Sequence, residues 1–376
     1  MTTRTASLIA LALATSTLAA CGSPGPVEEP PLSEEALAAV TADPGAPTRP
    51  LARAADDLFT LDGLGETRAL VVYHGGKPAV ERYAPGYDET TRFVSWSMAK
   101  TVTALMIGML VADGQLRLDA PAPVPRWQRT GDPRAEITLR HLLQMRAGLE
   151  HTEAGDPPYE SGEVRMLFLD GRDDMADYAT AQPLEAEPGE RFEYSSNTTV
   201  ILADIAARAL TDSKDPDERR EAVADYLEAR LFGPLGMTSA VPEFDRAGTL
   251  IGGSLIHATA RDWAKLGELL RNKGSYRGEQ LVPRQWVDEM IEPSPKSPHY
   301  GLQTWLNRPL PEGEEHPLFP DRAPHSAFSL IGHMGQYVFV SPTQKLTVVR
   351  LGHSNREERI AMLRQLADVI ELYPET

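Results

Sequence analysis

A serine and a lysine three residues apart become a nucleophile and its base when a helical turn places both on one face. Ser97-Met98-Ala99-Lys100 has that spacing. Ser97 precedes a proline-free run, 98–113, with apolar residues at Val102, Leu105, Met106, Met109 and Leu110, the 3–4 rhythm of a buried stripe. Phe93-Val94-Ser95-Trp96 reads as a short extended approach, and Gly114 is a suitable helix-ending residue. A lysine flanked by Met98, Ala99 and Val102 is partly desolvated, which lowers its pKa and lets it accept a proton. A serine at a helix start also keeps its own backbone N–H free to meet an oxyanion. Taken alone, the four residues fit a helix cap and a surface lysine as well. Their company along the chain decides.

Two further stretches carry chemistry. Tyr194, in Phe192-Glu193-Tyr194-Ser195-Ser196-Asn197, stands just ahead of a helical run at 198–210. Near a lysine cation a tyrosine can exist as phenolate or pass a proton to a leaving group. A buried tyrosine bonded to a backbone carbonyl is the alternative. Gly332-His333-Met334-Gly335-Gln336 interrupts a strand region with two glycines. Glycines there mark close approach of a ligand, or a simple bulge. The N–H after Gly335, that of Gln336, is the second oxyanion donor expected from the sequence.

The elements that must hold these stretches follow from pattern. Runs at 68–74 and 78–83 flank Gly75-Gly76, a hairpin signal. From about 119 to 252 the chain is mostly helical with proline-rich joints. Thr259-Ala260-Arg261-Asp262 opens another helix as a capping box. Strand character returns at 300–306, 327–331, 336–341 and 346–352, and a helix capped at 354–357 closes the chain. One antiparallel sheet built from both chain ends, with the helical block inserted beside it and the site in the cleft between, satisfies this order.

Composition narrows the function. The 376 residues are 41% hydrophobic and 24% charged, which supports a sizeable globular core. A net charge of −17 argues against nucleic acid as a partner. The nine histidines show no tight ligand spacing, so no metal is expected. Residues 1–20 read as a signal peptide, their apolar run being too short to span a bilayer. Leu18-Ala19-Ala20-Cys21 resembles a bacterial lipobox, with Cys21, the only cysteine, as the acylated residue. Residues 21–50, rich in Pro, Glu and Ala and without aromatics, are expected to form a disordered tether with at most a brief helix at 33–40. The folded domain is expected to span 51–376.

Together and in this order, the three motifs resemble the serine β-lactamase-like hydrolases. The resemblance extends over 56–373, including 137–149, 232–237 and 258–267. It implies an α+β fold of the β-lactamase/transpeptidase type: an antiparallel sheet flanked by helices, with a mostly helical lobe. It also implies Ser97 as acylated nucleophile, Lys100 as base, Tyr194 as acid/base partner, and the N–H groups of Ser97 and Gln336 as oxyanion hole. Ser196, His333 and Gly335 are the implied substrate contacts, and no cofactor is implied. Two positions depart from the penicillin-recognising members. Ser196 stands where those have Asn, and His333-Met334-Gly335 stands where those have Lys-Thr-Gly. The lysine that meets a substrate carboxylate is therefore missing, with Arg322 and Arg350 as candidate replacements. Tyr-Ser-Ser with Gly-His-x-Gly-Gln looks closest to the 6-aminohexanoate-dimer hydrolase and esterase branch. The expectation is a serine hydrolase of small esters or linear amides, lipid-anchored to a bacterial outer membrane and facing the periplasm. A D-aminopeptidase or class C-like β-lactamase is the enzyme alternative. A binding or sensor protein on the same scaffold is the non-enzyme one.

Overall fold

The computed structural model describes residues 31–310 and 317–376. Cys21 and the signal segment lie outside them. Among the described residues no helix is long and apolar enough to cross a membrane.

The chain starts folding earlier than composition suggests. Ser33 Oγ accepts the Ala36 N–H at 3.0 Å and caps α1 (Glu34–Ala38). Val40 then bridges to Val80, and the Glu81 N–H donates to the Ala39 carbonyl at 2.9 Å. α2 (Thr48–Thr60) buries Leu51, Ala52, Ala55 and Leu58. The expected tether to residue 50 is thereby corrected, because 34–50 is packed onto the sheet. Alanine supplies helix propensity and a flat apolar face, and the large side chains come from the elements it covers.

β1 (Glu66–His74) and β2 (Lys77–Tyr83) form the anticipated hairpin, with Gly75 and Gly76 both at positive φ. β3 (Phe93–Val94) leads through a tight turn at Trp96–Met98 into α3 (Ala99–Ala112). The helical lobe contains α4 (Leu139–Leu143), α5 (Gly162–Phe168), α6 (Met175–Ala181), α7 (Ser196–Leu210), α8 (Pro216–Leu227) and α9 (Gly233–Leu235). β4 (Val241–Pro242) and β5 (Ile256–Ala258) complete a small sheet with β3 at its edge. After α10 (Ala260–Arg271), a two-stranded ribbon of β6 (Ser275–Tyr276) and β7 (Glu279–Gln280) precedes α11 (Arg284–Met290). β8 (Trp305–Leu306), β9 (Phe328–Gly332), β10 (Gln336–Ser341) and β11 (Leu346–His353) follow, and α12 (Arg356–Glu371) ends the fold.

The main sheet is antiparallel with order β2-β1-β11-β10-β9-β8, so the two chain ends do build it together. Strand alternation sorts its side chains. Tyr337, Phe339 and Val348 face α2 and α12, whereas Val338, Val349 and Leu330 join the core under α3 and α10. α3 is buried from Ala99 to Leu110 on every side, not along one stripe, because it lies between the sheet and the helical lobe. The expected strand at 300–306 shrinks to β8. Gln303 there takes φ +55° and ties α3 to α7, its carbonyl accepting from Thr101 Oγ1 and its side chain from Thr199 Oγ1.

Candidate active site

Ser97 is presented by a strained turn. Trp96 takes φ +46°, a left-handed conformation that a bulky side chain adopts only when its surroundings impose it. Ser95 imposes it from behind. Its N–H donates to the Ile256 carbonyl at 2.9 Å and its Oγ accepts the Ile256 N–H at 3.0 Å. The Met98 N–H donates to the Ser95 carbonyl at 3.2 Å, so the Ser97 N–H comes before the first rung of the helix ladder. Ser97 itself stays half-exposed.

Lys100, one turn on, is 1% exposed. Its Nζ lies 3.0 Å from Ser97 Oγ, 2.7 Å from Ser196 Oγ and 2.8 Å from the Gly253 carbonyl. Burial pulls its pKa down, and the charges of Glu153 and Glu163 pull part of the way back. An amine with three partners and a destabilised charge suits a base: neutral, it gives two N–H bonds and keeps its lone pair for the Ser97 proton.

Tyr194 closes the same group. Its ring centroid is 4.8 Å from Lys100 Nζ, and its hydroxyl hydrogen-bonds Ser97. Burial, then Tyr300 and Glu153, push its pKa well above the usual phenol value. That direction favours the phenol, the proton-passing form of the two that the sequence admits. Tyr194 also packs against Trp305 and Tyr300, at 5.1 and 5.8 Å between ring centroids, which gives the cleft an aromatic wall.

The oxyanion assignment changes with the register. The Asn307 N–H donates to the Ala327 carbonyl at 2.9 Å, and Trp305 faces Ser329. Odd-numbered residues of β9 thus turn their backbone groups toward the β8 edge and even-numbered ones toward β10. Gln336 faces Gly332 within the β9–β10 hairpin, so its N–H belongs to that ladder and does not reach Ser97. β8 stops opposite Ser329, leaving the outward amides of Ile331 and His333 without a strand beside them. The His333 ring meets Trp96 edge-on at 5.5 Å, and Gly332 packs on the Ser95 carbonyl, where a Cβ would come within 2.3 Å. The two outward amides, those of Ile331 and His333, flank Gly332 where it meets the Ser95 carbonyl behind the Ser97 turn.

Two expected substrate contacts also move. Ser196 is fully buried, with its hydroxyl turned to Lys100 and away from the cleft. Gly335 is buried at φ +82° and covered by Arg350, whose guanidinium donates to the Gly335 carbonyl at 2.8 Å. His333 alone of the three faces the cleft, and desolvation followed by His353 and Arg359 favours its neutral form. Neither candidate arginine replaces the missing lysine. Arg322 is clasped by Asp368 and Glu371 on α12, and Arg350 is 0% exposed.

Three groups of the site escaped sequence reasoning. Glu153 accepts the Ser196 N–H at 2.6 Å and the Ser196 hydroxyl at 2.7 Å, and stands 3.8 Å from Lys100 Nζ. Glu163 approaches the same hydroxyl at 2.9 Å. Gly253 supplies the carbonyl on Lys100. The pair Gly252-Gly253 was the available signal: a Cβ on Gly252 would lie 2.3 Å from Thr103 Oγ1, and one on Gly253 2.9 Å from the Ser196 carbonyl.

Comparison with known proteins bears on the family and the fold. The chain is 26% identical over 264 residues to 6-aminohexanoate-dimer hydrolase of Paenarthrobacter ureafaciens, covering 66% of this chain and 64% of that protein. It is 31% identical over 172 residues to Esterase EstB of Burkholderia gladioli, covering 41% of each. The matched region is thus under two thirds of either relative's length. A solved family VIII carboxylesterase superposes with a TM-score of 0.63 at 15% identity, over 88% of this chain and 98% of that one, which speaks for the fold. The model of the Beta-lactamase family matches residues 65–371, the span that carries the strained turn, the helical lobe and the hairpin. The chain belongs to the Beta-lactamase family, a serine hydrolase type with the β-lactamase/transpeptidase-like fold.

Proposed function

We propose that this protein hydrolyses small carboxylic esters or linear amides through an acyl-enzyme on Ser97. The observation that carries the reading is a fully buried lysine whose Nζ sits 3.0 Å from a half-exposed serine hydroxyl. Neutral Lys100 takes the Ser97 proton as Oγ bonds to the substrate carbonyl carbon. The carbonyl oxygen, now negative, accepts the N–H groups of Ser97 and His333. As the bond to the leaving group breaks, Tyr194 donates its hydroxyl proton to the departing oxygen or nitrogen, and Lys100, whose Nζ lies beside the Tyr194 ring, gives the proton it took from Ser97 to the Tyr194 oxygen. Water then attacks the acyl carbon with the same groups in reversed roles, and the acid departs.

Similarity to an amide hydrolase and an esterase supports both substrate classes. The aromatic wall of Tyr194, Tyr300 and Trp305 favours an apolar acyl or leaving group, and a neutral His333 in place of a lysine disfavours an anionic one. Intact-mass spectrometry after incubation with p-nitrophenyl esters, linear amides and a chromogenic cephalosporin tests the reading. An acyl adduct on Ser97 with esters or amides is expected. Turnover that survives Ser97→Ala overturns it. We place the enzyme at the periplasmic side of an outer membrane, held by an acylated Cys21. Palmitate labelling that persists in Cys21→Ala would refute that placement.

A further inference from the structure

The far side of Lys100 holds more carboxyl groups than one hydroxyl can serve as ions. Ser196 Oγ has three polar neighbours: Lys100 Nζ at 2.7 Å, Glu153 Oε1 at 2.7 Å and Glu163 Oε1 at 2.9 Å. A hydroxyl has one proton and two lone pairs. The Lys100 N–H occupies one lone pair, and the hydroxyl proton goes to one carboxylate. The third contact is a hydrogen bond only if the other carboxyl group brings its own proton. Glu153 also accepts the Ser196 N–H at 2.6 Å and stands 3.8 Å from Lys100 Nζ, two contacts that favour its charged form. Glu163 has neither, so it is the one placed to keep the proton.

We propose that Glu163 is held as a neutral carboxylic acid behind Ser196, so that two glutamates present a single negative charge to Lys100 and thereby set the pH at which it becomes a base. The inference rests on the reading of Ser97 and Lys100 above and adds two positioning residues to it. A second full carboxylate two hydrogen bonds away would hold the proton on Lys100 and leave Ser97 unactivated. Burial and then the charge of Glu153 raise the Glu163 pKa to about 7, against the pull of Lys100 and the Ser196 hydroxyl, which agrees with the proton count. The titratable groups facing the pair are Lys100 on α3, Tyr194 before α7, Tyr300 before β8 and His333 in the β9–β10 turn. Neither tyrosine is ionised, and His333 is tilted to neutrality, so Lys100 is the cation the pair answers to.

The test is the pH dependence of kcat/KM on a neutral short-chain p-nitrophenyl ester. Glu163→Gln retains a neutral donor to Ser196. Its acidic limb should stay within about 0.3 pH units of wild type, with the plateau lowered no more than about tenfold. Glu153→Gln/Glu163→Gln removes the charge, so the limb should move to lower pH by more than about one unit. A shift in Glu163→Gln alone as large as in the double variant would mean two carboxylates and overturn the proposal. A readout independent of turnover separates this from failure of the catalytic reading, and of folding in the variants. Infrared difference spectra of the Ser97→Ala protein should show a protonated-carboxyl band at pH 6 that fades as pH rises through about 7. Absence of the band would refute the neutral Glu163 whatever the enzyme hydrolyses.

Discussion

Lys100 has two unlike sides. Toward the cleft stand Ser97, Tyr194 and His333, all at least partly exposed. On the other side stand Ser196 and Gly253, both on buried backbone, with Glu153 and Glu163 around them. The open side is made from motif residues and, on the proposed reading, performs the bond making. The closed side comes from 96 and 153 residues away in sequence, and it fixes where the Nζ points and what charge it carries. The difference teaches that a lysine becomes a base by what lies behind it as much as by what it faces. Burial alone lowers its pKa, and only the count of charges on the closed side says by how much.

The largest effect should come from breaking the open side. Ser97→Ala should lower kcat/KM for an ester by at least about 10³-fold, as loss of a nucleophile does in other serine hydrolases. Lys100 keeps Ser196 and Gly253 as partners, so the melting temperature should move little. If the loss of activity came with a collapse of stability, Ser97 would be a structural residue. Breaking the closed side should act differently. Gly253→Ala brings a Cβ to 2.9 Å from the Ser196 carbonyl, which is backbone and cannot swing aside. We expect about 1–3 kcal/mol of destabilisation and a roughly 10- to 100-fold fall in kcat/KM as the Lys100 contact is displaced. Denaturant titration and ester kinetics on the same preparation decide whether both fall together. Normal activity with reduced stability would separate Gly253 from the base.

How much of this was legible follows the same division. Ser97 and Lys100 are three residues apart on one helix, so their meeting follows from helix geometry. Tyr194 was marked by its place before a capped helix, Ser195 Oγ accepting the Thr198 N–H at 3.3 Å. The strands of the main sheet showed through alternation, and β10 falls where its pattern placed it. Glu153 and Glu163 were not legible. They are two of 54 acidic residues, in a loop and a short helix without periodicity, and only tertiary contact makes them buried. The place of the Gln336 N–H was not legible, because strand side follows from the register of a hairpin, and the sequence 332–336 does not declare how many residues form its loop. α1 showed only as a brief helix within a tether and α2 not at all, because alanine-rich, aromatic-free segments look like linkers until a sheet is there to receive them.

A third test uses pH to read the closed side through stability. His151, two residues before Glu153, is 3% exposed, and neither ring nitrogen has a hydrogen-bond partner among the described residues. Burial lowers its pKa from 6.5 to about 3. Between those values the unfolded chain binds a proton that the folded one does not. Stability on this account rises with pH, and falls as pH drops from 6.5, by at most about 1.4 kcal/mol per unit. Glu163 acts in the opposite sense. Its pKa is raised from 4.5 to about 7, so its contribution is present at low pH and is lost as pH rises through that window. Between pH 4.5 and 6.5 the two contributions oppose each other in wild type, so urea denaturation of His151→Phe should show stability falling with rising pH relative to wild type, by up to about 1.4 kcal/mol per unit. Identical slopes would mean that His151 is solvated in the folded protein.

The smallest effect is expected on the open side, at the position where penicillin-recognising relatives of this fold carry lysine. His333 is exposed, so a cation there is screened by water, and an exposed ion pair is worth about 0.2–1 kcal/mol. That corresponds to a change of no more than about 5-fold in substrate preference. Arg322 cannot add to it, since α12 carboxylates hold it, and Arg350 cannot, since it lies beneath the hairpin with its four hydrogen bonds made to Gly335, Thr67, Glu66 and Ser354. Wild-type enzyme should hydrolyse a neutral p-nitrophenyl ester far better than a cephalosporin, and His333→Lys should narrow that ratio only slightly. The change should appear in KM for the cephalosporin more than in kcat, because the contact is made before the bond to Ser97 forms. A large gain in cephalosporin turnover from this one substitution would show that the lysine is desolvated by the bound substrate, and that the His333 edge of the cleft is a closed subsite once occupied.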